Sequence, residues 1–482
     1  MHPGLRDMEY AVRGSVVVKA DRITQRLKED SANSHGYDFD RIVYTNIGNP
    51  QSVGQQPLTW PRQVLALVEL PPAVGVDHPA ASQLFPADVI RRAREIQRGA
   101  LGGIGTGAYS HSQGVAALRE DVVHFLKQRD GHTVPDSFCH IDNIFLTNGA
   151  SAGIGMILQT LLSHDKAAVM IPIPQYPLYS ATIGLLQGQC VGYYLDEERG
   201  WELNVQELER AYREAIEAGL DVTSFVLINP GNPSGSVLTR ENLHAVVQFC
   251  AKHNLVLLAD EVYQENVYEG EFVSCKCAAY ETGLLQNNDL ELVSFHSTSK
   301  GVFGECGRRG GYMELQGIDP TVKDQIYKLA SSTLCSSVSG QVMTSLMCRG
   351  PAPGDESYEP HEAEKRAIWE SFKRRSTIVS QGLNAIPGFS CQPATGSMYC
   401  FPSIRMPAGA IAAAKEAGVS PDTLYALDLL EHTGICVVPA SGFKQVEGRY
   451  GFRTTFLPSE KDMADAVEKI AQHYKDFTSR YQ

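Results

Sequence analysis

The sequence is short of positive charge. Its 482 residues include 42 lysines and arginines against 55 aspartates and glutamates, a formal net charge of −13. Binding to nucleic acid or to an anionic membrane needs a basic surface, so we expect no partner of either class. Hydrophobic residues make up 43% of the chain and charged residues 20%, which is typical of a globular protein and excludes a disordered one.

The sequence also lacks an apolar run that could form a membrane-spanning helix. Two stretches, 143–164 and 167–195, carry no charged side chain. The first contains several glycines and polar residues. In the second, Pro172, Pro174 and Pro177 remove backbone donors and clash with the preceding turn. Both stretches are predicted to form buried strands and turns of a globular core.

Cysteine is present without a pairing pattern. The eleven cysteines are an odd number and show no disulfide-framework spacing, which predicts free thiols in a reducing compartment. Cys275 and Cys277 have no second Cys or His pair nearby, so no metal site is predicted. The first twenty residues lack an apolar signal segment, and Asp7 and Glu9 disfavour a transit peptide. We therefore expect a cytoplasmic protein, with the mitochondrion as the alternative.

Between residues 107 and 347, short apolar runs alternate with amphipathic helical patterns such as Val205–Gly219 and Arg240–His253. This alternation predicts a large α/β domain with a mostly parallel seven-stranded sheet that helices cover on both faces. The seven predicted strands are Ile144–Thr147, Ala167–Ile171, Val191–Leu195, Phe225–Asn229, Leu255–Asp260, Leu292–His296 and Gly310–Glu314.

The flanking segments predict a smaller α+β domain. Residues 1–106 are interpreted as an N-terminal arm, with a helix near Ala20–Asp30, and as part of the smaller domain. They include loops at 45–57 and 69–85 and a glycine-rich bend at 101–107. Residues 348–482 form the rest of that domain. Its predicted elements are a helix over 362–383, strands over 398–401, 435–438 and 450–456, and a last helix that begins at Ser459.

Lys300 is the strongest chemical signal. It lies in Ser297-Thr298-Ser299-Lys300-Gly301, directly after a predicted buried strand. Burial would lower the pKa of its amine and free it for Schiff-base chemistry, although an exposed lysine in a turn fits the pentapeptide equally well. Asp260 and Glu261 end the preceding strand. They could bind a metal, act as an acid–base pair or cap a loop, but beside Lys300 a carboxylate that faces a positively charged ring nitrogen fits best.

Three further strand ends carry polar or aromatic groups. Thr147–Ser151 leads into a helix whose small residues and N-terminal dipole could hold a phosphate, although it is not a P-loop. Tyr176, on a proline-stiffened loop, could stack on a planar cofactor or pack on a proline. The Asn229–Gly235 turn leaves asparagine side chains free to form hydrogen bonds.

Arg453 lies on a predicted strand with aromatic neighbours. Period-two alternation places Phe452, Thr454 and Phe456 on one face and Arg453 on the other. An arginine there indicates bidentate binding of a carboxylate, with an internal salt bridge as the alternative. A pyridoxal-phosphate enzyme that acts on amino acids needs a phosphate-binding helix start, a ring that stacks on the cofactor, an acid at a strand end, a lysine and an arginine. The sequence contains all of these.

In these motifs the sequence resembles the class I aminotransferases, which are pyridoxal-phosphate enzymes of fold type I. The resemblance runs from about Thr45 to Leu457. More narrowly, it is similar to the alanine aminotransferase group, which includes glutamate–glyoxylate aminotransferases. The motifs are Asn-Pro-Gly-Asn-Pro-Ser-Gly (229–235), Ala-Asp-Glu-Val-Tyr (259–263), Ser-Thr-Ser-Lys-Gly (297–301), Thr-Asn-Ile-Gly-Asn-Pro-Gln (45–51), Gly-Ala-Tyr-Ser (107–110), Pro-Gln-Tyr-Pro-Leu-Tyr-Ser (174–180), Gly-Glu-Cys-Gly (304–307) and Arg-Gly-Gly-Tyr (309–312).

The resemblance implies a role for each cofactor-binding position. Lys300 would bind the cofactor as a Schiff base and shuttle the proton, and Asp260 would keep the pyridine nitrogen protonated. Tyr263 and Asn232 would bind the ring oxygen, and Tyr176 would stack on the ring. The phosphate would be held by Ala150, Ser151, Ser297 and Arg309, the last chosen over Arg308 because it sits in the frame Gly-x-Arg-x-Gly-Tyr.

The same resemblance implies the substrates and the assembly. Arg453 would bind the substrate α-carboxylate with Asn232 and the Gly48 backbone, and Tyr109 would reach the phosphate of the neighbouring subunit in a homodimer with shared sites. The expected reaction is ping-pong transfer of the amino group of L-alanine to 2-oxoglutarate, giving pyruvate and L-glutamate. Glyoxylate as acceptor and a lyase or synthase reaction of the same fold remain alternatives. A non-catalytic regulator is disfavoured by the short N-terminal arm and the acidic charge.

Overall fold

Seven apolar segments in the middle of the chain pair into one sheet. The computed structural model describes residues 3–8, 14–29 and 36–482. The strands are β1 (Val43–Tyr44), β2 (Ile144–Leu146), β3 (Ala167–Ile173), β4 (Gln189–Tyr194), β5 (Asp221–Ile228), β6 (Val256–Asp260), β7 (Leu292–Ser297), β8 (Gly311–Gln316), β9 (Phe389–Ser390), β10 (Tyr399–Cys400), β11 (Ser403–Ile404), β12 (Ile435–Cys436), β13 (Val438–Pro439) and β14 (Tyr450–Thr455).

The central sheet has the strand order β2-β8-β7-β6-β5-β3-β4. Only β8 runs antiparallel to its neighbours β2 and β7, and the other pairs are parallel. Every residue of β3, β6, β7 and β8 is buried, because helices cover both faces and leave no polar side for alternation. The predicted mostly parallel seven-stranded sheet is therefore confirmed.

Most helices connect these strands or pack around them. Their bounds are α1 (Pro3–Asp7), α2 (Ser15–Glu29), α3 (Thr59–Glu69), α4 (Ala81–Leu84), α5 (Ala87–Arg94), α6 (Ala116–Asp130), α7 (Ala150–Leu161), α8 (Pro177–Leu185), α9 (Val205–Glu217), α10 (Arg240–Lys252), α11 (Cys275–Glu281), α12 (Leu284–Asn287), α13 (Pro320–Ser332), α14 (Val338–Cys348), α15 (Tyr358–Asn384), α16 (Ala408–Glu416), α17 (Pro421–Thr433) and α18 (Glu460–Arg480). Within the described ranges, no helix is long and apolar enough to cross a membrane.

Alternate residues of the central strands pack into two different apolar cores, one on each face of the sheet. On β3, Ala168 and Met170 pack with α9 and α10, whereas Val169 and Ile171 pack with α7 and α8. The two helical layers thus hold the sheet from both sides. The carboxyl ends of its parallel strands are consequently fixed along one edge.

The C-terminal part is a smaller α+β unit, as predicted. Its sheet has the order β10-β14-β11-β9, with β13 also paired to β14. The long helix predicted over 362–383 is α15, and the last helix begins after Ser459, whose hydroxyl accepts from the Asp462 backbone N–H. Residues 43–44 join this part through parallel pairing of β1 with β12.

The N-terminal region contains more helix than the sequence indicated. The predicted helix near Ala20–Asp30 is α2, which buries Val16, Ala20 and Ile23, while residues 1–2, 9–13 and 30–35 of the predicted arm lie outside the described residues. Helices α3 and α5 were not predicted; they pack against each other, α3 also packs against α14, and their apolar residues share one core cluster with α6 and α14. The predicted bend at 101–107 has neither helix nor strand. The domain boundaries at 106 and 347 stay a prediction.

Candidate active site

A cavity of about 370 Å³ lies at the carboxyl edge of the central sheet. Strands β3, β5, β6 and β7 all end there, which is where parallel sheets place ligands. Eleven of the twelve residues predicted for the site line this cavity. They are Gly48, Ala150, Ser151, Tyr176, Asn232, Asp260, Tyr263, Ser297, Lys300, Arg309 and Arg453.

The twelfth residue, Tyr109, lies elsewhere on the chain surface. Its side chain is 79% exposed, and it follows the glycine-rich bend instead of lining the cavity. A second cavity of about 800 Å³ lies at the opposite edge of the sheet, where Leu255 and Glu291 precede β6 and β7. That larger cavity contains none of the predicted residues, so size alone does not identify the candidate site.

Lys300 is held by a backbone carbonyl. Its Nζ donates to the carbonyl oxygen of Gly48 at 2.6 Å and forms no ion pair with any described carboxylate. Gly48 has no room for a side chain, because a Cβ there would lie 2.7 Å from Lys300 Nζ and 2.5 Å from the Tyr399 hydroxyl. The glycine thus lets the backbone approach the amine closely.

Asp260 presents an unsatisfied carboxylate oxygen. The side chain is buried at the end of β6, and its Oδ2 accepts from the Tyr179 hydroxyl at 2.9 Å. Its Oδ1 has no hydrogen-bond partner among the described residues. Burial raises the pKa of Asp260 to about 6, although the Tyr179 hydrogen bond and the Lys300 charge oppose the shift. A buried acceptor of this kind fits a cationic N–H donor.

The N-terminus of α7 and Arg309 form an anion-binding end of the cavity. Helix α7 begins at Ala150 after Gly149, whose φ is 74°. Arg309 Nη2 donates to the Ser151 hydroxyl at 3.3 Å and to the Asn148 carbonyl at 3.0 Å. Helix N–H groups, a hydroxyl and a guanidinium suit a phosphate. Arg309 lines the cavity and Arg308 does not, as the frame around Arg309 predicts.

Arg453 lies at the other end of the cavity. It is 2% exposed and donates from Nη1 to Asn232 Oδ1 at 3.0 Å and from Nη2 to the Asn46 carbonyl at 2.5 Å. Its Nε has no partner among the described residues, and it forms no ion pair with a described carboxylate. The salt-bridge alternative therefore has no support in the described part of the chain. A buried cation without an anion fits an incoming carboxylate.

Two tyrosines and one asparagine complete the site beyond the sequence prediction. The Tyr399 hydroxyl is hydrogen-bonded to the Tyr263 hydroxyl, and the Tyr399 ring packs on the Arg453 guanidinium. The Tyr179 hydroxyl donates to Asp260, and the Asn46 carbonyl accepts from Arg453. Tyr179 and Asn46 lie inside motifs that were quoted without a role for them. Tyr399 lies in a predicted strand with no motif around it, so local sequence gave no signal for it.

Comparison with known proteins places these features in a family. The model of the family "Aminotransferase class I and II" matches residues 78–470. A relative named "Probable alanine aminotransferase, mitochondrial" from Dictyostelium discoideum is 47% identical over 99% of this chain and 88% of its own length. The "Glutamate--glyoxylate aminotransferase 1" of Arabidopsis thaliana is 42% identical over 100% of this chain and 96% of its own length.

Solved structures agree at the level of the fold. The alanine aminotransferase from Pyrococcus furiosus has a TM-score of 0.74 with this chain at 22% sequence identity, covering 98% of this chain and 99% of its own. At that identity the likeness shows the fold alone, which is the predicted fold type I. With the family match over most of its length and these relatives, the chain belongs to the class I and II aminotransferases and, within them, to the alanine aminotransferase group.

Proposed function

We propose that this aminotransferase uses pyridoxal phosphate to move the amino group of L-alanine to 2-oxoglutarate, giving pyruvate and L-glutamate. One observation carries the proposal: the Lys300 amine, the Asp260 carboxylate and the Arg453 guanidinium line one cavity. These are the nucleophile, the ring-nitrogen partner and the carboxylate clamp that such chemistry needs. The name of the Dictyostelium discoideum relative supports alanine as the donor.

The residues of the cavity fit pyridoxal phosphate. The α7 N-terminus with Ser151, Ser297 and Arg309 would hold the phosphate, and Tyr176 would stack on the ring. The unpartnered Asp260 Oδ1 would accept from the protonated ring nitrogen. When bound, the cofactor supplies an electron-withdrawing ring that stabilises negative charge at the substrate α-carbon.

Asp260 would keep the proton on that ring nitrogen. Burial raises the pKa of Asp260 to about 6 against the opposing charge of Lys300. A cationic N–H beside Oδ1 favours the ionised carboxylate, so the two groups stabilise each other's charged form. Tyr263 and Asn232, which line the same cavity, would donate to the ring oxygen.

Lys300 moves the proton. Its Nζ would take the proton from the substrate α-carbon and deliver it to the cofactor carbon that carries the amino nitrogen, as a positioned general base and acid. The Gly48 carbonyl, 2.6 Å away, orients the amine. Such a base contributes about 10²–10⁴-fold to the rate.

Arg453 orients the substrate. Two of its five N–H donors are used by Asn232 and Asn46, which fix the guanidinium plane. The remaining donors would bind the α-carboxylate of either substrate. Because the same clamp serves an amino acid and an oxo acid, the two substrates occupy the cavity in turn.

A second candidate is glyoxylate as the acceptor, with glutamate as the donor. The 42% identity to a glutamate–glyoxylate aminotransferase favours it over other reactions of the fold. We further propose a homodimer in which exposed Tyr109 reaches the phosphate in the partner subunit's site. For the compartment, the cytoplasm stays our prediction, and the name of the Dictyostelium discoideum relative supports the mitochondrion as the alternative.

An absorption spectrum tests the proposal. The purified protein with bound pyridoxal phosphate is measured before and after addition of L-alanine without an oxo acid. We expect the band to change and pyruvate to be released in equal amount, and 2-oxoglutarate should restore the band faster than glyoxylate does. A protein that takes up no cofactor contradicts the cofactor assignment, and a band that alanine leaves unchanged contradicts the donor.

A further inference from the structure

Tyr399 reaches the active site from the smaller unit. It lies on β10, is 2% exposed, and its side chain lines the cavity. Its hydroxyl oxygen is 2.9 Å from that of Tyr263, which follows β6 of the central sheet. Tyr399 therefore links the two parts of the chain at the place where the cofactor would lie.

The hydroxyl of Tyr399 also lies beside the amine of Lys300. A Cβ at Gly48 would contact both groups, at 2.5 Å from the Tyr399 hydroxyl and 2.7 Å from Lys300 Nζ. The phenol and the amine thus flank the same glycine. A side chain at that glycine would displace both.

The ring of Tyr399 supports the arginine. The Arg453 Cζ lies 4.4 Å from the centre of the Tyr399 ring and 4.9 Å from that of Phe443. Cation–π contacts with desolvated rings hold a guanidinium in place without using its N–H donors. Those donors remain available for a carboxylate.

The surroundings of the two hydroxyls shift the pKa values of Tyr399 and Tyr263 in opposite directions. Burial raises the pKa of Tyr399, but Lys300, Arg453 and the Tyr263 hydroxyl lower it below its ordinary value, and Asp260 opposes them weakly. Burial and the neighbouring phenol hold the pKa of Tyr263 well above its ordinary value. Tyr399 is thus the stronger acid of the two phenols that share this hydrogen bond.

We propose that Tyr399 is a positioning residue of this site, whose hydroxyl orients Tyr263 and Lys300 and whose ring orients Arg453 for the substrate carboxylate. The inference rests on the proposed function for its kinetic readout only. It predicts that the hydroxyl and the ring have separable effects on catalysis.

Three variants separate those effects. In Tyr399→Phe, which keeps the ring, kcat should fall about 10- to 100-fold while KM for L-alanine is unchanged, since the hydrogen bond to the Tyr263 hydroxyl is lost. In Tyr399→Leu, KM for L-alanine should also rise about 3- to 30-fold. The control Tyr193→Phe loses an equally buried hydrogen bond, to the Val226 carbonyl at 2.8 Å, and neither residue lines the cavity. It should keep both constants.

A cofactor-free measurement decides the proposal independently of activity. In an ultraviolet titration, the unchanged protein and Tyr193→Phe should show one tyrosine that ionises before the others, and Tyr399→Phe should lack it. The groups that face this phenol are Lys300, Arg453, Tyr263 and Asp260. The pH profile of the bound cofactor's absorption should shift in Tyr399→Phe only.

The outcomes are distinct. If Tyr399→Phe matches Tyr193→Phe in kcat and in titration, the hydroxyl has no positioning role and the proposal fails. If Tyr399→Leu and Tyr399→Phe share one KM, the ring does not orient Arg453. If the unchanged protein does not transaminate alanine, the proposed function fails, and the cofactor-free titration still tests the contact of Tyr399 with Lys300.

Discussion

Two lysines of this chain, Lys276 fully buried and Lys300 half-buried, have opposite surroundings. Lys276 is fully buried and paired, with Glu314 Oε1 at 2.5 Å and Cys139 Sγ at 3.2 Å, and its pKa is raised because these partners outweigh burial. Lys300 lines an open cavity and donates only to a carbonyl. The difference shows what a catalytic lysine needs: Lys276 is satisfied within the protein, whereas Lys300 is left able to react with a ligand.

We expect the largest effect when the Lys300 amine is removed, because this leaves no lysine among the described residues that line the cavity. Lys300→Ala should lose nearly all turnover, by at least the roughly 10²–10⁴-fold that a positioned proton carrier contributes. The protein should still bind the cofactor, through the phosphate and ring contacts, and its free energy of unfolding should change little. Steady-state kinetics with L-alanine and 2-oxoglutarate check this, and near-normal turnover would contradict the role of Lys300.

The converse change at Lys276 should affect stability and spare catalysis. Lys276→Ala leaves the Glu314 carboxylate buried without its cation, which costs about 3–5 kcal/mol of unfolding free energy. Denaturant unfolding measures the loss, and kcat per folded molecule should be retained. A double variant, Lys276→Met with Glu314→Leu, should recover most of the stability, and its failure to do so would argue against an unpaired charge as the cause.

At Asp260, we expect stability and activity to change in opposite directions. Its folded-state pKa of about 6 lies above the ordinary 3.8, so its favourable contribution to folding is complete below pH 3.8 and is lost as pH rises through 6. In the cofactor-free protein, the free energy of unfolding of Asp260→Asn should therefore rise relative to that of the unchanged chain, by about 2–4 kcal/mol as pH increases from 3.8 through 6. The same variant should lose activity.

A carboxylate with the opposite shift is the control. For Asp428, burial alone would raise the pKa, but hydrogen bonds from His473 and Arg480 lower it to about 2. Asp428→Asn should therefore be less stable than the unchanged chain at neutral pH, and the difference should disappear as pH falls through 2. Equal pH dependence in the two variants would show that burial of Asp260 is not the cause.

The smallest effect concerns the substrate clamp. Arg453→Lys should raise KM for L-alanine about 10- to 100-fold, because lysine cannot form the bidentate fork that a guanidinium offers a carboxylate. Arg375→Lys, which changes a buried arginine bound to the Leu457 and Pro458 carbonyls, should lower stability without changing KM. Unchanged affinity for alanine in Arg453→Lys would count against the clamp.

The sequence predicted the parts of the site that local patterns determine. Lys300 and Asp260 follow buried strands, and the carboxyl ends of parallel strands meet at one edge, so the strand pattern alone brings them together. Tyr399 and Asn46 could not be found in this way. Tyr399 comes from a different sheet and Asn46 from a loop before α3, and only long-range packing places them beside Arg453.

The helices α3 and α5 were missed for a related reason. Pro61 near the start of α3, and the three arginines and one aspartate of α5, mask the apolar faces through which the two helices pack against each other and join the core cluster of α6 and α14. Tyr109 was assigned a role by resemblance, and its contact with a second subunit stays a prediction. Predictions from sequence were thus strongest where chemistry and strand periodicity coincide.

The central claim is that the open lysine of the cavity, Lys300, holds the cofactor. The most direct measurement is borohydride reduction of the protein loaded with pyridoxal phosphate, followed by proteolysis and mass spectrometry of the labelled peptide. We predict a single labelled site at Lys300, with buried Lys276 unlabelled. A label on another lysine, or no label on a protein that carries the cofactor's absorption band, would contradict the account.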